Sequence, residues 1–376
     1  MAGNKLGDRP QSDEVEVSLF GPGVGECVVL HLTQGQWIVI DSCRDKDSKR
    51  AAAVEYLEKL QVNLATDVAL VIATHYHDDH ISGLSDLFEA CQKACFACSV
   101  ALKNSDWQKL VGVYHSYLLP GGSGVDELTR VMETLQKRKG PRELVAPIFC
   151  VAGREIADPI LTSPARIKCL SPSDAAVGVM QAQMRNELLP REKVRRRRVP
   201  QLDSNDGSVV ISVSVGDATV LLGADLEERK RNGLGWQVAL DSSPKKVTLH
   251  EIFKLPHHGA ESGHHPDVWK RLLQANSYAI VTPYNRQKHP LPTPRDCVRT
   301  CSLTNRAYIT SPPGWGKFRH SDPAVLKTAL EATVRLGPET PGSGHIRLRR
   351  SIASGQTWQL ELFGRAMPLV DLASAA

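Results

Sequence analysis

An α/β fold is predicted by three features: strand-like runs open the sequence, a helical segment separates the third of them from a fourth, and the same alternation returns in the second half. Residues 15–41 hold VEVSLF, CVVLHL and WIVID, β-branched or apolar runs parted by Gly-rich and Gln-Gly turns, which is hairpin patterning. Residues 49–62, KRAAAVEYLEKLQV, space their apolar side chains as a helix does. DVALVIATH follows as a short, nearly unbroken apolar strand suited to burial on both faces. From 83 to 140, LSDLFEACQKACFACSVAL, NSDWQKLVGVYHSYL and DELTRVMETLQKRK read as a helical insertion over the site, broken by Pro-Gly-Gly at 120–122. RIKCLSP at 166–172 returns to strand, and the polar stretch after it reads as a helix running into a basic loop at 186–200. SVVISVSV and ATVLLG, joined by Gly216-Asp217, form the clearest hairpin. EIFKLP and YAIVT, with the helix DVWKRLL between them, repeat the alternation, and 345–363 hold two more strands. The expected organisation is a polar tail at 1–14, one domain over 15–340, and C-terminal strands and tail over 341–376. No internal repeat signals a solenoid.

A chain of 376 residues with 41% hydrophobic and 23% charged residues is long enough to bury a real core and is neither disordered nor collagen-like in composition. The start MAGNKLGDRPQSDEVEV has no apolar segment of the secretory kind. The longest apolar runs, such as ALVIA at 69–73, fall far short of the ~20 residues that cross a bilayer. A soluble, cytoplasmic protein with no membrane partner is the expectation. Nine cysteines, an odd number spread from Cys27 to Cys301, argue for reduced thiols rather than a disulfide framework. The net charge of +5 includes a dense run, Arg195, Arg196, Arg197 and Arg198, with Lys193 beside it. It is either a solvated loop or a contact for a polyanion.

Chemistry concentrates at Thr74-His75-Tyr76-His77-Asp78-Asp79-His80, where three imidazoles and two carboxylates follow a buried strand. Burying such groups is costly unless they are paired or bound to metal, so the set calls for a cation. The spacing H-x-H-x-D-H suits two ions, because alternating residues of an extended loop face one way and the last two turn toward a second ion.

HYHDDHISGL resembles the defining motif of the metallo-β-lactamase superfamily, and other elements fall in the family's order: Asp41 in WIVIDSC, Asp225 in VLLGADLE, and PHHG at 256–259. The resemblance spans roughly residues 18–295. It implies a four-layer αββα sandwich with a helical insertion. Within the superfamily the chain is most similar to the soluble hydrolase domain of ComEC-type DNA-uptake proteins, through GPGVGECVVLHL, SNDGSVVI, KLPHHGAES and KHPLPTP. Two departures stand out. Gly223-Ala224-Asp225 is one residue longer than the tightest family examples, and His115, the one candidate for a separate third histidine of the first ion, sits in a helical stretch. The first ion is then left with an open position, which favours catalysis over structure.

By this resemblance His75, His77 and Asp225 hold the first divalent ion, and Asp79, His80, Asp225 and His258 the second, with Asp225 as the bridge. His258 is preferred to His257 on the family's usual ligand, which leaves His257 behind it or facing substrate. Asp41 orients a ligand imidazole. Asn205 and His289 are phosphate contacts or ordinary turn residues. Zn²⁺ fits the histidines and Mn²⁺ the mixed oxygen donors. Two ions about 3.5–4 Å apart would share an activated hydroxide, with Asp79 taking or passing the proton.

Three other patterns compete for notice. Cys91, Cys95 and Cys98 have an iron–sulfur spacing but lie in a run patterned as a helix, as small core residues. Gly21, Gly23 and Gly25 lack the third-glycine placement and the Lys-Ser/Thr of phosphate loops, so turn flexibility explains them. His264 and His265 read as surface loop residues near the site.

The leading functional expectation is a metal-dependent phosphodiesterase or nuclease acting on nucleic acid or nucleotide, with Arg195 to Arg198 as nucleic-acid contacts. The alternatives are a hydrolase of a small ester, lactone or phosphocholine-type substrate, and an effector component of a bacterial defence system with a protein partner. Fold alone does not choose among them.

Overall fold

The computed structural model describes residues 6–103, 124–162, 164–188, 204–231, 233–243, 249–286, 289–315, 343–353 and 356–374. Two eight-stranded mixed sheets face one another. The first contains β1 (Glu14–Gly21), β2 (Cys27–Leu32), β3 (Trp37–Ile40), β4 (Val68–Ala73), β5 (Cys95–Ser99), β6 (Ile148–Cys150), β14 (Gly344–Ser351) and β15 (Gln359–Gly364), in the order β15-β14-β1-β2-β3-β4-β5-β6. The second contains β7 (Glu155–Ile156), β8 (Ala165–Cys169), β9 (Ile211–Val215), β10 (Ala218–Leu222), β11 (His250–Lys254), β12 (Leu273–Val281), β13 (Ala307–Ile309) and β16 (Met367–Pro368), in the order β16-β13-β12-β11-β10-β9-β8-β7.

The period-2 alternation of the strands builds the layers. Val15, Val17 and Leu19 of β1 point into the space between the sheets, where they meet Ile38, Ile72, Ile167, Val213, Val220 and Ile252. The opposite face of the first sheet, with Val39, Val71 and Phe96, is covered by the helices Ala52–Lys59, Leu84–Ala90 and Gly124–Lys137. The opposite face of the second, with Leu221, Phe253 and Ala279, is covered by Trp236–Ser242, Pro266–Arg271 and Pro294–Leu303. The result is the four-layer αββα sandwich expected. The expected hairpin at Gly216-Asp217 pairs β9 and β10 antiparallel, with Gly216 at φ +61°. The C-terminal strands join the first sheet, β14 pairing β1 along its full length.

One reading needs correction. Within the stretch expected to be helical from 83 to 140, Leu84–Ala90 and Gly124–Lys137 are helix, but Cys95–Ser99 between them forms β5, parallel to β4. A parallel strand buried on both faces reads as a continuous apolar run, which periodicity does not separate from a buried helix. Cys91 therefore ends a helix, while Cys95 and Cys98 point to opposite faces of a strand, into different core layers. Their thiols do not converge. The part of the expected insertion at 104–123, with His115, lies outside the described residues, as do Arg195, Arg196, Arg197 and Arg198.

A candidate dinuclear metal centre

The candidate site sits where the C-terminal ends of β4, β10 and β11 meet, the position where open α/β sheets leave a crevice. After β4 the chain leaves the sheet through His75 and His77 and turns into the short helix Asp78–Ile81, which delivers Asp79 and His80. After β10, Gly223-Ala224 places Asp225. After β11, His257 and His258 open a single 3-10 turn. Three sets of side chains each bring ligand atoms within 4.8 Å of one another: Asp79, His80, Asp225 and His258; His75, His77 and Asp225; and Glu26, Asp41 and His80. Asp225 belongs to two of them.

The hydrogen bonds set the imidazoles for coordination. His75 Nδ1 meets Thr74 Oγ1 at 3.0 Å, His80 Nδ1 meets Asp41 Oδ2 at 2.7 Å, and His258 Nδ1 lies 3.2 Å from both the carbonyl and the Oγ1 of Thr282. Each contact engages one ring nitrogen and leaves Nε2 facing the carboxylates. His258 Nε2 is 3.2 Å from Asp79 Oδ2 and 3.8 Å from Asp225 Oδ2. His80 Nε2 is 3.2 Å from Asp225 Oδ1, out of line for a hydrogen bond. Divalent ions fit this donor set. His75 Nε2, His80 Nε2 and Asp225 Oδ1 are buried without hydrogen-bond partners, an arrangement that costs about 1–3 kcal/mol per group unless a cation satisfies it.

Electrostatics divide the histidines. Burial pushes His75 well below the ordinary imidazole range, with repulsion from His80 and His77 added, and burial also lowers His77. Both are thereby held neutral, the form that binds metal. Burial opposes charge on His80 and His258 too, but the carboxylates around them, Asp225 foremost, outweigh it and raise both. Burial would raise Asp79 and Asp225, yet His80 and His258 hold both below the usual carboxylate range. Asp41 is raised by its burial, against the pull of His80.

Backbone strain gathers at the same place. Asp41, Ala224, His257 and His258 all have positive φ, between 45° and 60°, which non-glycine residues adopt at a cost of order 1–3 kcal/mol each. Gly25, at φ +93°, passes so close to the Asp79 carbonyl that a Cβ would lie 2.7 Å from it. This close approach, more than turn flexibility, gives the glycine-rich start its purpose.

The remaining candidates are placed as follows. Asp41 accepts from the Thr74 backbone N–H and hydroxyl and holds His80 Nδ1. His257 is part-exposed, its Nδ1 2.8 Å from Ser262 Oγ and 3.6 Å from Glu227 Oε1. Asn205 donates to Glu227 Oε1 at 2.6 Å. Asn205 and His257 thus share Glu227 at the rim. His289 is exposed on the loop between Tyr284 and Leu291 and is outside the converging sets. His265 caps the helix Pro266–Arg271, and neither it nor His264 joins a set. Sequence reasoning passed over Glu26, Glu227, Thr282 and Tyr284, whose ring stacks on His258 at 5.1 Å. None of them carries a local signal beyond a charge or hydroxyl beside a strand end.

Against known proteins, residues 20–128 match the family model described as "Metallo-beta-lactamase superfamily". That segment carries Asp41 and the whole of His75 to His80. Among solved structures, the chain is similar to the metallo-beta-lactamase fold protein YhfI from Bacillus subtilis, with 11% identity, 64% of this chain and 70% of that one covered, and a TM-score of 0.33. It is similar to MEM-A1, a subclass B3 metallo-beta-lactamase from a soil metagenome library, with 15% identity, 71% and 85% covered, and a TM-score of 0.33. It is also similar to Zn²⁺-bound PqqB from Methylobacterium extorquens, with 8% identity, 61% and 56% covered, and a TM-score of 0.26. No curated protein matches. The family-model match and the αββα architecture with its His/Asp sets support the metallo-β-lactamase superfamily. Among the described residues, no helix is long and apolar enough to cross a membrane.

Proposed function

We propose that the chain is a metal-dependent hydrolase of phosphodiesters, with a nucleic acid or nucleotide as substrate. The observation that carries the reading is the sharing of Asp225 between two sets of donors. In this reading His75, His77 and Asp225 hold one divalent ion, and Asp79, His80, Asp225 and His258 hold the other. When bound, such a pair of ions supplies Lewis acidity toward a phosphoryl oxygen and lowers the pKa of water.

The chain's own residues do the rest. Asp41 and Thr282 fix the rings of His80 and His258 through Nδ1, and Thr74 fixes His75. Asp79, with a side chain 10% exposed, would take or pass the proton. His257 and Asn205, held through Glu227 and Ser262, form the wall a phosphate would meet. The phosphodiester assignment rests further on the ComEC-like set Gly21 to Glu26, Asn205 and Lys254 to His258, and on the arginines at 195–198.

The test is purified protein assayed on single- and double-stranded DNA and RNA, and on a chromogenic phosphodiester, with Mn²⁺, Zn²⁺ or chelator. Metal-dependent, chelator-abolished cleavage of a phosphodiester is expected. Hydrolysis confined to esters or lactones would replace the substrate class and leave the metal reading intact.

A further inference from the structure

We propose that the buried ion pair Glu26–Lys254 is a positioning device that holds the metal-binding sets in register across the two sheets, and so sets metal affinity although neither residue is a ligand. The inference rests on the metal-binding reading above.

Glu26 immediately precedes β2 of the first sheet, and Lys254 ends β11 of the second. Their side chains are 3% and 1% exposed and pair directly. From this pair, contacts run to three of the proposed ligands. Lys254 Nζ donates to the carbonyl of Ala224 at 2.9 Å, fixing the strained peptide that aims Asp225. Glu26 Oε2 accepts from Thr282 Oγ1 at 2.9 Å. With its proton given to Glu26, that hydroxyl, like the Thr282 carbonyl, faces His258 Nδ1 as an acceptor. The proton of His258 is therefore held on Nδ1, and the Nε2 lone pair is left toward Asp79 and Asp225. Finally, the backbone N–H of Glu26 donates to the carbonyl of Asp79 at 2.9 Å.

The pair also explains why the third converging set, Glu26, Asp41 and His80, is not a third metal site. Its cation is already present as the Lys254 ammonium on Glu26, and Asp41 is taken by Thr74 and His80. Stability is a poor reason to keep such a pair, because desolvating two charges offsets most of their attraction. Registry of ligands carried on two separate sheets is a sufficient one.

The test uses the full chain, stripped of metal. The Glu26→Gln/Lys254→Met double variant removes both charges at similar volume and leaves no lone buried charge. Fold is followed by far-UV circular dichroism and thermal unfolding, affinity by Zn²⁺ titration against a chromophoric chelator, and geometry by the visible spectrum with Co²⁺. The expected result is a folded variant that still takes up two equivalents, with Zn²⁺ affinity roughly 10–100-fold weaker and altered Co²⁺ bands. Wild-type affinity and spectrum in the folded variant would overturn the proposal and reduce the pair to a staple between sheets. If the wild-type chain itself binds no metal, the metal reading falls and this inference with it. Should the double variant not fold, Thr282→Val removes the hydroxyl that joins Glu26 to His258 Nδ1 and leaves the Thr282 carbonyl contact in place. Weakened Zn²⁺ binding is then the supporting result, and unchanged binding the refuting one.

Discussion

Replacing Asp41 by Asn tests how the site is held together, because the two side chains have the same shape and differ only in donor and acceptor chemistry. Asp41 Oδ1 accepts from the Thr74 N–H at 2.7 Å, and Oδ2 accepts from the Thr74 hydroxyl and faces His80 Nδ1, both at 2.7 Å. An Asn that keeps its oxygen toward the Thr74 N–H turns its NH₂ on His80. His80 must then accept on Nδ1 and carry its proton on Nε2, where a metal needs a lone pair. Flipping the amide instead sets donor against donor at a buried backbone N–H, at a cost of about 1–3 kcal/mol. Either way the fold survives and coordination suffers. Loss of a partner behind a ligand histidine typically costs 10–100-fold in metal affinity, about 1.4–2.7 kcal/mol. Zn²⁺ competition titration of Asp41→Asn should show that loss, with the apo protein's circular dichroism unchanged. Wild-type affinity in a folded variant would refute the assignment of Asp41 as the group that orients His80.

Three further outcomes are expected. His77→Ala and Asp79→Ala should each abolish hydrolysis while leaving the melting profile of the apo protein near wild type, and wild-type turnover in either would exclude this site. His31, held down to about 4 by burial, with its Nδ1 on the Glu14 carbonyl and its Nε2 accepting from Gly35, is neutral when folded. Its folded pKa lies below the unfolded value near 6.5, so its contribution is complete above pH 6.5 and is lost as pH falls toward 4, on the order of 3 kcal/mol over that window. The urea stability gap between wild type and His31→Gln should shrink over that window and stay flat above it, and a pH-independent gap would contradict the assignment. Replacing Arg195 to Arg198 by Gln should weaken nucleic-acid binding and lower the slope of log affinity against log salt by roughly 0.7–0.9 for each phosphate the protein ceases to neutralise. Turnover of a small phosphodiester should be unchanged; equal loss on both substrates would mean that the run is structural or sits at the reacting centre, and no change on either that it is a solvated loop.

Local pattern carried much of the architecture. The hairpins β1–β2 and β9–β10 and the buried strand β4 announce themselves by alternation, turn residues and apolar runs. β5 does not, because Cys95 to Ser99 is buried on both faces and resembles the helix before it. In the site, His75 to His80 were legible because they are contiguous, and Asp41, Asp225 and His258 because each follows a strand in a recognisable order. Glu26, Thr282 and Glu227 were not. Their parts depend on which strand ends the sandwich brings together, and single polar residues at strand ends carry no mark of it.

If two ions share Asp225, both sites must respond to its loss. Metal analysis under saturating Zn²⁺ or Mn²⁺, on wild type, Asp79→Asn and Asp225→Asn, tests it most directly. Two equivalents are expected in the wild-type chain, with selective weakening of one site in Asp79→Asn and weakening of both in Asp225→Asn. At most one equivalent in the wild type, or one site of wild-type affinity surviving in Asp225→Asn, would contradict it.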